Sequence, residues 1–162
     1  MSTTTIHPHH TKQFTMLGMM AGSIQCGMTA TSQSCWSFWI DHILKQRDTL
    51  GMKKAAFISA STGAVMASSN DWRFSSSDIA SLTTESDQSL SRSRDSLRYD
   101  GKTYVIKSQE SGQIVAFNGR SYLIITRSKT IYMVSLCQSR AKSTQAAAWM
   151  RQLRNKLVEK NY

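Results

Sequence analysis

Trp36-Ser37-Phe38-Trp39-Ile40-Asp41-His42-Ile43-Leu44 is the stretch at which a nearly uncharged chain becomes a patterned one. Its apolar residues Trp36, Trp39, Ile40, Ile43 and Leu44 recur at helical spacing, which predicts an amphipathic helix from Trp36 to about Arg47 with Ser34 as its N-cap. Two tryptophans three residues apart fall on one side of such a helix, where they either plug a core or make a flat aromatic surface for a ligand.

Around this segment, 162 residues with 40% hydrophobic content suffice for one domain with a real core. No run of eighteen apolar residues occurs, so a transmembrane helix is not expected. The formal charge of +10 is uneven: from Arg120 to Tyr162 there are nine Lys or Arg against one acid, Glu159. A surface of this kind attracts nucleic acid, anionic lipid or an acidic protein, and equally serves solubility, because a summed field concentrates any polyanion without specifying which. Cys26, Cys35 and Cys137 form no CxxC pair and are odd in number, so neither a disulfide framework nor a zinc knuckle is expected and a reducing cytosol fits best.

Residues 1 to 34 carry one charged side chain, Lys12, and many Ser, Thr, Met and Gly. They read as a flexible N-terminal extension, with residues 35 to 162 as the folded domain. Residues 14 to 21 have the apolarity of a signal-peptide core, but the only positive charge before them is Lys12 and three histidines. His7, His9 and His10 lack a Cys or carboxylate neighbour to complete a tetrahedral metal site.

Beyond the first helix, Ala55 to Ser59 and Ala64 to Ala67 read as strands around a Ser61-Thr62-Gly63 turn. Ser75-Ser76-Ser77-Asp78 before Ile79 and Leu82 has the form of a capping box and predicts a short second helix, followed by a polar loop from Ser86 to Ser96. Asp100-Gly101 and Asn118-Gly119, each between apolar runs, mark two hairpin turns, and Ile131 to Leu136 is a further strand. The chain closes with an amphipathic helix from about Ser143 to Lys160, its stripe formed by Ala146, Trp149, Met150, Leu153, Leu157 and Val158. The fold class is α+β: a central antiparallel β-sheet meander with the N- and C-terminal helices packed on one face and a short helix on the other.

Chemistry is scarce. No Gly-rich phosphate loop, HExxH, GxSxG or paired Cys ligands occur, and the acids are scattered. His42 is the sole histidine outside the extension, so a Ser-His or Cys-His dyad would need the first helix to face a nucleophile. A binding module is expected, with no catalytic residue, cofactor or metal.

Taken in order, Trp36-x-x-Trp39-Ile-Asp, Ala55-Ala56-Phe57-Ile58, Gly63 to Ser68, Leu97 to Tyr104 and the last helix ending in Tyr162 resemble the profilins, small actin-monomer-binding proteins. The resemblance spans Trp36 to Tyr162 and implies a cytoplasmic, cytoskeletal protein, monomeric, that regulates actin polymerisation. It also implies a groove between the terminal helices for proline-rich segments, whose pre-extended polyproline II form loses little entropy on docking against flat rings. By position that groove would use Trp36, Trp39, Met66, Leu157 and Tyr162. Met66 stands where profilins usually have tryptophan and Lys156 where many have His or Tyr, which weakens the match. The implied actin face comprises Tyr104, Lys107, Arg120, Lys142, Gln145 and Arg151, with the family's lysine in the last helix falling near Ala147 or Ala148. Arg120, Arg127, Lys129, Arg151 and Arg154 are the corresponding candidates for anionic phospholipid headgroups. Trp72 and Trp149 have no counterpart and read as structural.

Two other readings fit parts of the pattern. A longin- or roadblock-type sandwich, acting as a trafficking scaffold, also wraps helices around a meander, but does not call for paired tryptophans or a closing Tyr. A basic RNA-binding module could stack bases on Tyr99, Tyr104 and Phe117, although no RNP pattern is present and no specific nucleic acid is expected.

Overall fold

The structure, a computed structural model, describes residues 33–87 and 95–162. The readings of the extension, including His7, His9, His10 and Cys26, and of most of the polar loop lie outside those residues. Seven strands form one antiparallel sheet: β1 (Met52–Ser59), β2 (Val65–Ser68), β3 (Ser96–Tyr99), β4 (Lys102–Glu110), β5 (Gln113–Asn118), β6 (Ser121–Arg127) and β7 (Ile131–Cys137). Their spatial order is β2-β1-β7-β6-β5-β4-β3. The helices are α1 (Gln33–Leu44), α2 (Arg47–Leu50), α3 (Ser76–Asp87) and α4 (Ser143–Glu159). The α+β class and meander therefore stand as expected.

Strand periodicity divides the core in two, because successive side chains leave opposite faces. On one face Phe57, Tyr122, Ile124 and Met133 pack with Trp36, Ile40 and Ile43 of α1 and with Met150, Leu153 and Leu157 of α4. On the other, Ile58, Leu97, Ile114, Leu123 and Val134 pack with Leu82 of α3 and with Trp72. Tyr132 donates its hydroxyl hydrogen to the Thr83 carbonyl (3.3 Å), tying β7 to α3. Burial of a side chain the size of Ile43 contributes roughly 1.5–3 kcal/mol, so both layers are needed to hold the sheet.

Local chemistry sets the boundaries. α1 begins at Gln33, so Ser34 lies within it instead of capping it, and it ends at Leu44, short of the expected Arg47, which opens the single turn of α2. That turn closes on Gly51, whose φ is +70° and where an added Cβ would come within 2.9 Å of the Ser139 Cβ. Only glycine fits both conditions. Cys35 is disulfide-bonded, which corrects the reading of the cysteines as reduced, whereas Cys137 is a buried free thiol donating to the Leu50 carbonyl (3.2 Å).

The capping box forms as read. The Ser75 Oγ accepts from the Asp78 N–H (3.1 Å) and Asp78 Oδ2 accepts from the Ser75 N–H (2.9 Å). Asp78 Oδ1 also accepts from the Asp100 N–H (2.9 Å), which docks the β3–β4 turn on α3. Burial alone would raise the Asp78 carboxyl, but these hydrogen bonds outweigh it and hold the group below its ordinary value. α3 runs to Asp87, two residues into the expected loop.

Of the two marked hairpins, Asp100-Gly101 has positive φ at both positions (50° and 68°), as a type I′ turn requires. The other is displaced by one residue: Asn118 pairs with Ser121, leaving Gly119 and Arg120 as the loop, with φ positive at Gly119 (59°). The sign pattern is that of a II′ turn. Asn118 is instead used sideways, its amide donating to the Thr103 carbonyl (2.8 Å).

At the far end, Asn161 takes the left-handed conformation (φ 69°) and donates to the Val158 carbonyl, while the Tyr162 N–H reaches back to the Leu157 carbonyl (both 3.0 Å). This is a Schellman closure. It folds Tyr162 against Trp36, ring centroids 5.3 Å apart and edge-on.

Two substitutions test these local devices by urea denaturation. Ser75→Ala removes the capping oxygen and is expected to lower stability by about 1 kcal/mol, with Ser75→Gly costing only a few tenths. Asn161→Val places a β-branched residue at positive φ and is expected to cost about 1–2 kcal/mol, whereas Asn161→Gly retains the closure.

Candidate binding surfaces

The terminal helices lie on one face of the sheet, but the two tryptophans of α1 are not equivalent there. Trp36 is 2% exposed, packed between Phe57 (5.1 Å) and Tyr162. It plugs the core and presents no ring to solvent. Trp39, one turn on, is half-buried, as are Met66 on β2 and Tyr162, while Leu157 is fully buried. The proposed groove thus retains three accessible members of its five.

A different aromatic group is more open. His42 stands 5.5 Å from the Trp149 ring, 5.8 Å from Trp39 and 6.5 Å from Phe38, against which it stacks. Phe38 is 47% exposed. Desolvation pushes the His42 imidazole below its ordinary pKa, and the neighbouring ammonium groups of Lys156 and Lys45 add to the effect. Sequence reading missed this cluster. Its signal was the four-residue spacing of Phe38 and His42, which places them on one side of a helix.

Between β4, β5 and the start of α4 runs a shallow groove of about 220 Å³, lined among others by Lys107, Ser108, Glu110, Ser143, Thr144 and Arg151. A β-bulge shapes it. Ile106 pairs with Ala116 and Ser108 with Val115, so Lys107 is the extra residue and both it and Ser108 reach the groove. The Lys107 ammonium lies over the Tyr122 ring at 5.5 Å. Gln113 anchors the floor: its buried side-chain amide donates to Thr126 Oγ1 and to the Ala147 carbonyl, both at 2.9 Å. Arg151 pairs with Glu110, a partner not foreseen.

Tyr104 does not belong with this set. It lies three residues before Lys107 on the same strand, an odd interval that sends the two side chains to opposite faces. It is buried with Tyr99 (6.3 Å) on the α3 side, and burial raises both phenols above their ordinary pKa. These two rings therefore offer no open platform for bases, and Phe117 is itself half-buried. Arg120 is exposed in the β5–β6 turn and Gln145 on α4, while Lys142 donates to the Asp48 carbonyl at the start of α4.

The remaining basic residues separate by position. Arg154 donates to the Ser111 carbonyl (2.9 Å), and the Arg127 guanidinium sits over the Tyr132 ring at 5.4 Å. Lys129 is exposed in the adjacent β6–β7 turn. Arg120 lies at the opposite end of β6, roughly 20 Å away at about 3.3 Å per residue, so one headgroup cannot engage all five. Among the described residues no cluster of His, Cys, Asp and Glu is placed to hold a metal, and no helix is long and apolar enough to cross a membrane.

Comparison with known proteins agrees with this architecture. The Profilin family model matches residues 34–162. Profilin from Schizosaccharomyces pombe superposes with a TM-score of 0.69 at 22% identity, covering 78% of this chain and 99% of that one. Acanthamoeba castellanii profilin IB gives 0.67 at 17%, with 78% and 99% covered, and LokiProfilin1, solved in complex with rabbit actin, gives 0.61 at 16%, with 80% and 98% covered. No curated protein matches the sequence. With the match extending from α1 through α4, the chain belongs to the profilin family.

Proposed function

We propose that this profilin binds monomeric actin through the groove between β4, β5 and the start of α4 and thereby regulates actin polymerisation in a cytoskeletal setting. The observation that carries the reading is a groove lined by Lys107, Glu110 and Arg151 whose neutral floor is fixed by Gln113, with Arg120 exposed in the β5–β6 turn and Lys142 just before α4. A basic rim steers an acidic partner and raises the association rate. Arg151 contributes less, because Glu110 already offsets its charge. A profilin of the same fold, LokiProfilin1, has been solved with rabbit actin. No catalytic group is called on: a protein that binds one state of actin better than another shifts the population between them.

Lys107 and Arg120 are exposed, so reversing both charges leaves the fold intact. In a pyrene-actin polymerisation assay the Lys107→Glu/Arg120→Glu protein is expected to need about tenfold more material for the same effect, equivalent to about 1.4 kcal/mol. Absence of any effect of the unsubstituted protein in large molar excess over actin would overturn the reading.

A weakened proline-rich site is the second part of the proposal, supported by the half-buried Trp39, Met66 and Tyr162 around the terminal helices. Met66 packs softly on proline rings but has no N–H to donate, and Trp36 is spent in the core. Titration with a proline decamer is expected to perturb tryptophan fluorescence only at high ligand concentration, and Trp39→Ala is expected to abolish the response. For anionic lipid the supported set is Arg127, Lys129, Arg151 and Arg154, at one end of the sheet, without Arg120.

A further inference from the structure

Phe38, Trp39, His42 and Trp149 form a continuous aromatic ridge across the outer sides of α1 and α4, with successive centroids 5.5–6.5 Å apart. Single exposed apolar residues are ordinary on a protein surface; four contiguous rings with Phe38 at 47% exposure are not. Trp39 and Trp149 are half-buried and pack against the core below, so the ridge braces the helix pair on its inner side and is open to solvent at Phe38.

Thirty-two residues precede α1. Within them Phe14, Met16, Leu17, Met19 and Met20 are crowded into seven positions, and Lys12 is the single charged side chain of the whole segment. Methionine thioethers make favourable contacts with ring edges, and their unbranched chains adapt to an irregular surface. Covering the ridge with such residues desolvates no charge of the segment. The flanking Lys45 and Lys156, whose positive charge already acts on His42, disfavour a basic partner and are indifferent to a neutral one.

Reach also permits it. Residues 22–32 make a connector of eleven residues, including Gly22 and Gly27; the disulfide at Cys35 limits how far it extends, but from Cys35 to His42 along α1 is only about 10 Å. We propose that residues 14–21 of the same chain dock on the Phe38–Trp39–His42–Trp149 ridge, placing Met16, Met19 and Met20 against the rings. The N-terminal extension is then a tethered intramolecular ligand of the α1–α4 surface. This stands independently of any partner of the groove on the β4–β5 side.

The test uses the full chain labelled with ¹³C at its methionine methyls, assigned by single Met→Leu substitutions, at low micromolar concentration. Expected are upfield ring-current shifts for at least two of Met16, Met19 and Met20, lost in Phe38→Ser and in Trp149→Leu. Phe38→Ser changes an exposed residue, and the unchanged resonances of the core methyls of Met52, Met133 and Met150 would report that the domain is intact in it. Three results overturn the proposal: tail methyls at random-coil positions in the unsubstituted chain, shifts that survive both substitutions, or shifts that vanish on dilution, which would assign the contact to a second copy.

Discussion

The pairing of β1 with β7 is the constraint on which the rest of this molecule depends. Every other pairing joins strands that follow one another in sequence, but Met52–Ser59 and Ile131–Cys137 meet across more than seventy residues. That one ladder inserts the β1–β2 hairpin beside the meander β3 to β7. It also brings α1, which precedes β1, next to α4, which follows β7. Without it neither the aromatic ridge nor the packing of Trp36 would exist, because both need residues from the two helices at once.

A second constraint follows from the first: the sheet is covered on both sides, so each strand must assign its side chains to one of two partners. The α1–α4 side receives Phe57, Tyr122 and Met133, the α3 side Ile58, Tyr104 and Tyr132. Open surface is then left only where coverage stops. One is the groove that α4 leaves over β4 and β5, and the bulge at Lys107 lies there, opposite Val115 and Ala116 of β5. The other is the outer side of the helices themselves.

How much of this was legible in the sequence depended on the range of the interaction responsible. The Ser75–Asp78 box, the Asp100-Gly101 turn and the amphipathic stripe of α4 are encoded within a few residues, and each formed where its pattern placed it. The shift of the second hairpin to Gly119–Arg120 is also local, but it is decided by the sheet register, which accepts Asn118 as a strand residue because its amide can bond Thr103. Trp36 and Trp39 could not be told apart by spacing: only the arrival of Phe57 and Tyr162 makes one of them core. The placement of Tyr104 with Lys107 was avoidable, since strand parity alone separates them. The salt bridge of Arg151 with Glu110 and the meeting of His42 with Trp149 were beyond reach, because they join elements whose adjacency is set by the β1–β7 ladder.

The edge-on contact of Tyr162 with Trp36 joins the last residue of the domain to its first helix. During synthesis α1 and the whole sheet emerge while that position is still vacant, so Trp36 waits for its final neighbour until translation of the domain is complete. Folding that relies on so distant a closure is slow relative to folding by local contacts, and the nascent chain carries an incompletely covered tryptophan throughout. The Schellman turn at Asn161 shortens the last step, since it directs Tyr162 back along its own helix as soon as α4 forms.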